Sequence, residues 1–115
     1  MPHLTHPPAD AQQKLTWFAV RFERWSELGE GLGLEPGHLE DLSGAMGTAA
    51  VAYMECEERP SSAASSRFAR AVEGLDTAGG AALDAIASHA AADPAAMEVL
   101  RRAMLLEEGA GASEL

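Results

Sequence analysis

The chain has 115 residues, enough for one domain with a modest core. Its 18 Asp and Glu against 8 Lys and Arg give a formal charge of −10. That balance argues against nucleic acid, which needs a basic footprint to displace counterions. A single cysteine excludes an intramolecular disulfide and a Cys-based zinc site.

Residues 1–10 carry Pro2, Pro7 and Pro8 and no apolar signal region, so a disordered arm and a cytoplasmic protein are expected. A single helical domain is expected over 11–106, followed by a disordered tail over 107–115. Asp10 and Gln13 have capping-box spacing, which starts helix one near Ala11 and carries it to about Leu28. Leu15, Phe18, Phe22 and Trp25 fall at steps of three and four, the rhythm of one helical stripe. Four of the six aromatic residues lie in this helix. Trp17 sits one position off the stripe and widens its apolar face. Lys14, Arg21 and Arg24 interleave with the rings, a pattern that also occurs in membrane-surface helices, although Glu23, Glu27 and Glu30 dilute the charge. Trp17, Arg21 and Trp25 are therefore the candidate interaction residues, with Trp17 the first choice for an exposed contact.

Gly29, Gly31 and Gly33 end helix one. They spell Gly-x-Gly-x-Gly, but no strand precedes them and no phosphate-binding lysine follows. Pro36 suits the first position of helix two, behind Glu35, a mediocre cap. Leu39, Leu42, Met46, Ala49, Tyr53 and Cys56 form its seam, and the helix should end near Glu58 or Arg59, before Pro60. Its uncharged run, Leu42 to Met54, is too short to span a bilayer. Glu55, Glu57 and Glu58 crowd the C-terminal turn, where their sign is wrong for the helix dipole. Arg59, Arg67 or Arg70 can neutralise them and clamp the hairpin to the next helix. Cys56 lies among those acids, whereas a catalytic thiol needs positive surroundings or a helix N-terminus.

Ser61, Ser62, Ser65 and Ser66 open helix three, which runs to about Ala91 on a seam of Phe68, Val72, Leu75, Gly79, Ala82 and Ile86. Gly79-Gly80 is the point at which it can kink or split. Asp93-Pro94 then reads as cap and first residue of a short fourth helix, Pro94 to about Leu106, with Met97, Leu100 and Met104 as its seam.

The histidines, His3, His6, His38 and His89, include no i, i+4 pair, and no Glu-x-x-His motif accompanies the carboxylates, so neither a metal nor a cofactor is expected. The fold class is all-α: an up-and-down bundle of three long helices plus a short C-terminal helix. Alanine supplies much of the apolar content, which makes the helices stable and the core thin. Ala45, Ala49, Ala78 and Ala82 would let helices of neighbouring copies approach closely, with Trp17 as an anchor. The expected function is a non-enzymatic interaction or structural module that self-associates or binds a protein partner. The alternative is a peripheral membrane binder using helix one.

Phe18, Phe22 and Trp25, the turn Gly31-Leu32-Gly33-Leu34 leading to Pro36, and the later Ile86, Asp93-Pro94 and Val99 resemble a group of small, uncharacterised helical proteins of bacteria such as planctomycetes. The likeness covers most of residues 15–106. Two departures are Glu35, where Thr or Ser is common, and a final Met104-Leu105-Leu106 without prolines. The resemblance implies a fold and no activity. A second likeness is to small secreted helical hairpins of the WXG type. Tyr53 with Glu57 fits their Tyr-x-x-x-acid pattern, but Trp25-Ser26-Glu27-Leu28-Gly29 has the wrong spacing for their turn.

Overall fold

The computed structural model describes residues 5–93 and 95–105. These form α1 (Ala11–Leu28), a 3-10 turn (Gly29–Leu32), α2 (Pro36–Glu58), α3 (Ser62–Ala92) and α4 (Ala96–Arg102), with no strand among the described residues. The expected tail over 107–115 and the proline at position 94 lie outside the described residues.

The helix starts follow local chemistry. The Asp10 side chain accepts from the Gln13 N–H at 3.0 Å, and the Ser61 hydroxyl accepts from the Ala64 N–H at 3.0 Å. At α2 a histidine takes the role usually filled by Glu or Gln, because the Glu35 N–H donates to His38 Nδ1 at 3.1 Å. Helix α1 ends where Gly29 takes φ 44°, and the turn closes on Gly33 at φ 85°, both in the left-handed range. Gly33 is doubly constrained, since a Cβ there would collide with the His89 side chain.

Helices α2 and α3 form a long antiparallel hairpin, and α1 lies across one side of it, antiparallel to α2. The body measures 48 × 37 × 18 Å, and the shortest dimension corresponds to two helix layers. The core is continuous through Phe18, Trp25, Leu42, Leu75, Ala82 and Ile86, each at most 2% exposed. A second, alanine-floored cluster of Ala49, Ala52 and Ala71, with Leu15 and Phe68 against it, closes the part of the hairpin nearer its tip. Lys14 on α1 reaches Asp76 on α3 at 2.7 Å and ties the two layers together.

Helix α3 runs unbroken through Gly79-Gly80, which settles a point the sequence leaves open. Gly79 is there because the Phe18 ring occupies the place its Cβ would take. The fourth helix is shorter than expected and turns a different face inward. It begins at Ala96 and buries Ala96, Leu100 and Ala103, while Met97 and Met104 are exposed. For Met104 the cause is the turn after Arg102. Met104 takes φ 62° and swings Leu105, not itself, into the core. Leu32 and Leu34, each 1% exposed, also belong to the core although they sit in the connection between α1 and α2. Finally, Ala49 and Ala82 are fully enclosed between helices of the same chain, and Ala45 and Ala78 pack against that core. Ala49 and Ala82 therefore serve the intramolecular fit and offer no surface to a neighbouring copy, whereas Ala45 and Ala78 stay partly exposed.

Candidate functional site

The three candidate interaction residues occupy one corner, where α1 meets the segment after α4, but they differ in access. Trp25 is fully buried, and its Nε1–H donates to the Ala103 carbonyl at 3.0 Å. It is a packing residue and not a surface anchor, because an indole sunk this deeply finds both its apolar contacts and its polar partner inside the chain. Trp17 is half-buried. It stands edge-on to Phe18 at 5.0 Å and to Trp25 at 6.1 Å, which is the favoured arrangement of ring quadrupoles. Arg21 lies over the Trp17 ring at 4.1 Å.

Arg21 is also committed to the backbone. Its Nε donates to the Met104 carbonyl at 2.9 Å and its Nη1 to the Trp17 carbonyl at 3.1 Å. Partial burial holds its guanidinium below the usual arginine value, since the charged form loses water there. Thr5 completes the arrangement: its N–H donates to the Leu105 carbonyl at 2.8 Å. The carbonyls of residues 103, 104 and 105 thus receive donors from Trp25, Arg21 and Thr5 in turn. This corner is a clasp that fixes the left-handed turn at Met104, and its charge and rings are largely spent within the chain.

The hairpin tip carries the clamp expected from the sequence. Arg67 Nε meets Glu55 Oε2 at 2.9 Å, with both side chains about half exposed. Nearby, the Tyr53 hydroxyl donates to Glu57 Oε1 at 2.6 Å, and the Tyr53 ring lies 5.6 Å from that of Phe68. The hydrogen bond to the Glu57 carboxylate raises the phenol above its ordinary value, because ionisation would set two anions side by side. Cys56 is half-buried on the inward side of α2.

A further accessible surface lies elsewhere, on the side of the hairpin that α1 does not cover. There an open groove runs between α2 and α3, floored by Ala52 and Ala71 and flanked by Thr48, Val51, Arg70 and the Glu55–Arg67 pair. Val51 is 60% exposed and Met54, one turn along α2, is 58% exposed. The sequence signal for this face was the uncharged run Leu42–Met54, which reads as length of core until the helix is seen to bury only one side of it. Another apolar depression, between Thr5, Leu83, Ile86 and Leu105, lies on the opposite side.

Among the described residues, no group of three or more His, Cys, Asp or Glu side chains could hold a metal ion, and no buried side-chain polar atom lacks a partner. No helix of the described residues is long and apolar enough to cross a membrane. Comparison with protein-family models, with curated proteins and with solved structures finds no match to the chain.

Proposed function

We propose that the chain is a non-enzymatic helical module that works by protein–protein association, in the first place with itself. The observation that carries this reading is the one-sided layering of the bundle. Helix α1 covers one face of the α2/α3 hairpin, and the other face presents exposed Val51 and Met54 beside an apolar groove. A small protein gains by covering such a face, since burial of apolar area stabilises at roughly 25 cal/mol per Å². The strongly negative net charge would keep the separated chains soluble and would oppose non-specific clustering, so association needs a defined surface.

The test is molar mass by light scattering, over a concentration series into the tens of micromolar at physiological and high ionic strength. A dimer or larger oligomer, strengthened by salt that screens the acidic surfaces, is the expected result. A monomer at every concentration would overturn self-association.

A further inference from the structure

We propose that Leu4 seats in the apolar depression between α3 and the segment after α4, so that residues 1–4 strap the start of the chain over its core. This surface is separate from the α2/α3 groove, and its closure does not depend on self-association.

The seat is built on one stripe of α3. Gly80, Leu83 and Ala87 follow at steps of three and four, beside the buried seam of Leu75, Gly79, Ala82 and Ile86. Leu83 is only half-buried although it packs on the core, and Ala87 is exposed. Ile86 and Leu105, each 2% exposed, form the floor. The depression holds about 300 Å³, enough for an aliphatic side chain. Water on so apolar a floor finds few polar partners.

Both ends of the described chain reach this place. Thr5 lines the depression, and its N–H donates to the Leu105 carbonyl at 2.8 Å. That N–H belongs to the peptide that joins Leu4 to Thr5, so the hydrogen bond pins the planar link between them at the rim. The Leu4 Cα then lies about 3.8 Å from the Thr5 Cα, directly beside the depression. The following part of the arm is held down as well, since Thr5, Pro7 and Pro8 are all half-buried.

Leu106 is equally close to Leu105, and charge separates the two candidates. Asp84 is exposed on the rim. Residues 1–4 contain no Asp or Glu, whereas Leu106 is followed at once by Glu107 and Glu108. Seating Leu106 would bring two more carboxylates within a screening length of Asp84, and seating Leu4 brings none. With Leu4 in place this depression offers nothing to a partner, which leaves the α2/α3 groove as the open apolar face.

Nuclear Overhauser contacts between methyl groups test the proposal, on the full chain labelled at its leucine, isoleucine and alanine methyls. The Leu4 methyls should show contacts to Leu83, Ile86 and Ala87. Leu4→Ala should lower the thermal midpoint by about 4 °C or more, through loss of buried aliphatic area. Leu4→Met should restore most of that loss, because methionine fills a similar volume. The same contacts made by Leu106 in place of Leu4 would overturn the proposal, as would Leu4 methyls at the shifts of an unfolded chain. Contacts found only between labelled and unlabelled molecules of a mixed sample would put another copy's arm in the seat and overturn closure within the chain. An unchanged midpoint in Leu4→Ala also overturns it, because a leucine that adds no stability straps nothing. A monomeric chain that shows the Leu4 contacts removes self-association alone and leaves this inference standing.

Discussion

The Phe18 ring fills the volume that a side chain at Gly79 would need, so the middle of α1 rests directly on the backbone of α3. Phe18 is 1% exposed as a result, and it meets Trp25 edge-on at 6.0 Å. The close approach of these two helices depends on that single missing Cβ. The neighbouring glycine, Gly80, has open space where its own Cβ would be.

Adjacent glycines should therefore respond to alanine with opposite signs. Gly79→Ala should cost about 1–3 kcal/mol, because overpacking against the Phe18 ring outweighs the gain in helix propensity. Gly80→Ala should stabilise by about 0.5–1 kcal/mol, because only the propensity term applies. Urea unfolding followed by circular dichroism measures both.

Trp25→Phe should destabilise by about 1–3 kcal/mol, since it leaves the buried Ala103 carbonyl without its donor. The loss should concentrate at the clasp. Amide hydrogen exchange at residues 99–105 should accelerate more than exchange in the α2/α3 hairpin. Uniform acceleration over all helices would show that the indole hydrogen bond has no local role.

Tyr53 is the one tyrosine, so its ultraviolet phenolate band can be assigned without ambiguity. Hydrogen bonding to Glu57 places its folded pKa above the ordinary value of 10.0. A raised folded pKa means that the folded state holds the proton more tightly than the unfolded chain. The stabilisation is thus fully present below pH 10.0 and fades as pH climbs through the folded value. Glu57→Gln should bring the phenol back toward its ordinary value and remove that part of the alkaline destabilisation.

Glu55 and Arg67 make a well-placed but half-exposed pair. Glu55→Ala should cost no more than about 1 kcal/mol, and the difference from the parent should shrink at high salt. A larger, salt-independent loss would mean that Glu55 contributes through packing in the groove and not through its charge.

Helix boundaries were legible in the sequence because they depend on local chemistry. Asp10 and Ser61 cap by their own side chains, Gly29 and Gly33 supply left-handed backbone, and the Glu55–Arg67 clamp follows from charge and proximity to one turn. The α3 seam from Val72 to Ile86 is buried as its rhythm implies. Long-range partners were not legible. The role of Gly79 depends on a ring 61 positions away in the chain, so periodicity places it on the seam without showing what fills the space of its missing Cβ. Met97 and Met104 fit a helical stripe on paper, yet α4 buries Ala96 and Leu100, and the left-handed residue at 104 turns Leu105 inward in place of Met104. For the candidate site, aromatic content pointed to α1, where the rings are mostly consumed by the core. The open face carries few large residues and so leaves little trace in composition.

The clasp between α1 and the segment after α4 has a consequence for the order of folding. Its hydrogen bonds join residues 78, 83 and 100 positions apart, whereas the Glu55–Arg67 contact at the hairpin tip spans 12. Closing a long loop costs more chain entropy than closing a short one, and contacts of low sequence separation form sooner. The α2/α3 hairpin is thus the part that can assemble early, with Trp25, Arg21 and Thr5 engaging their carbonyls late. Slowing at the clasp would leave a formed hairpin waiting for α1, with both of its faces exposed to other copies during that interval.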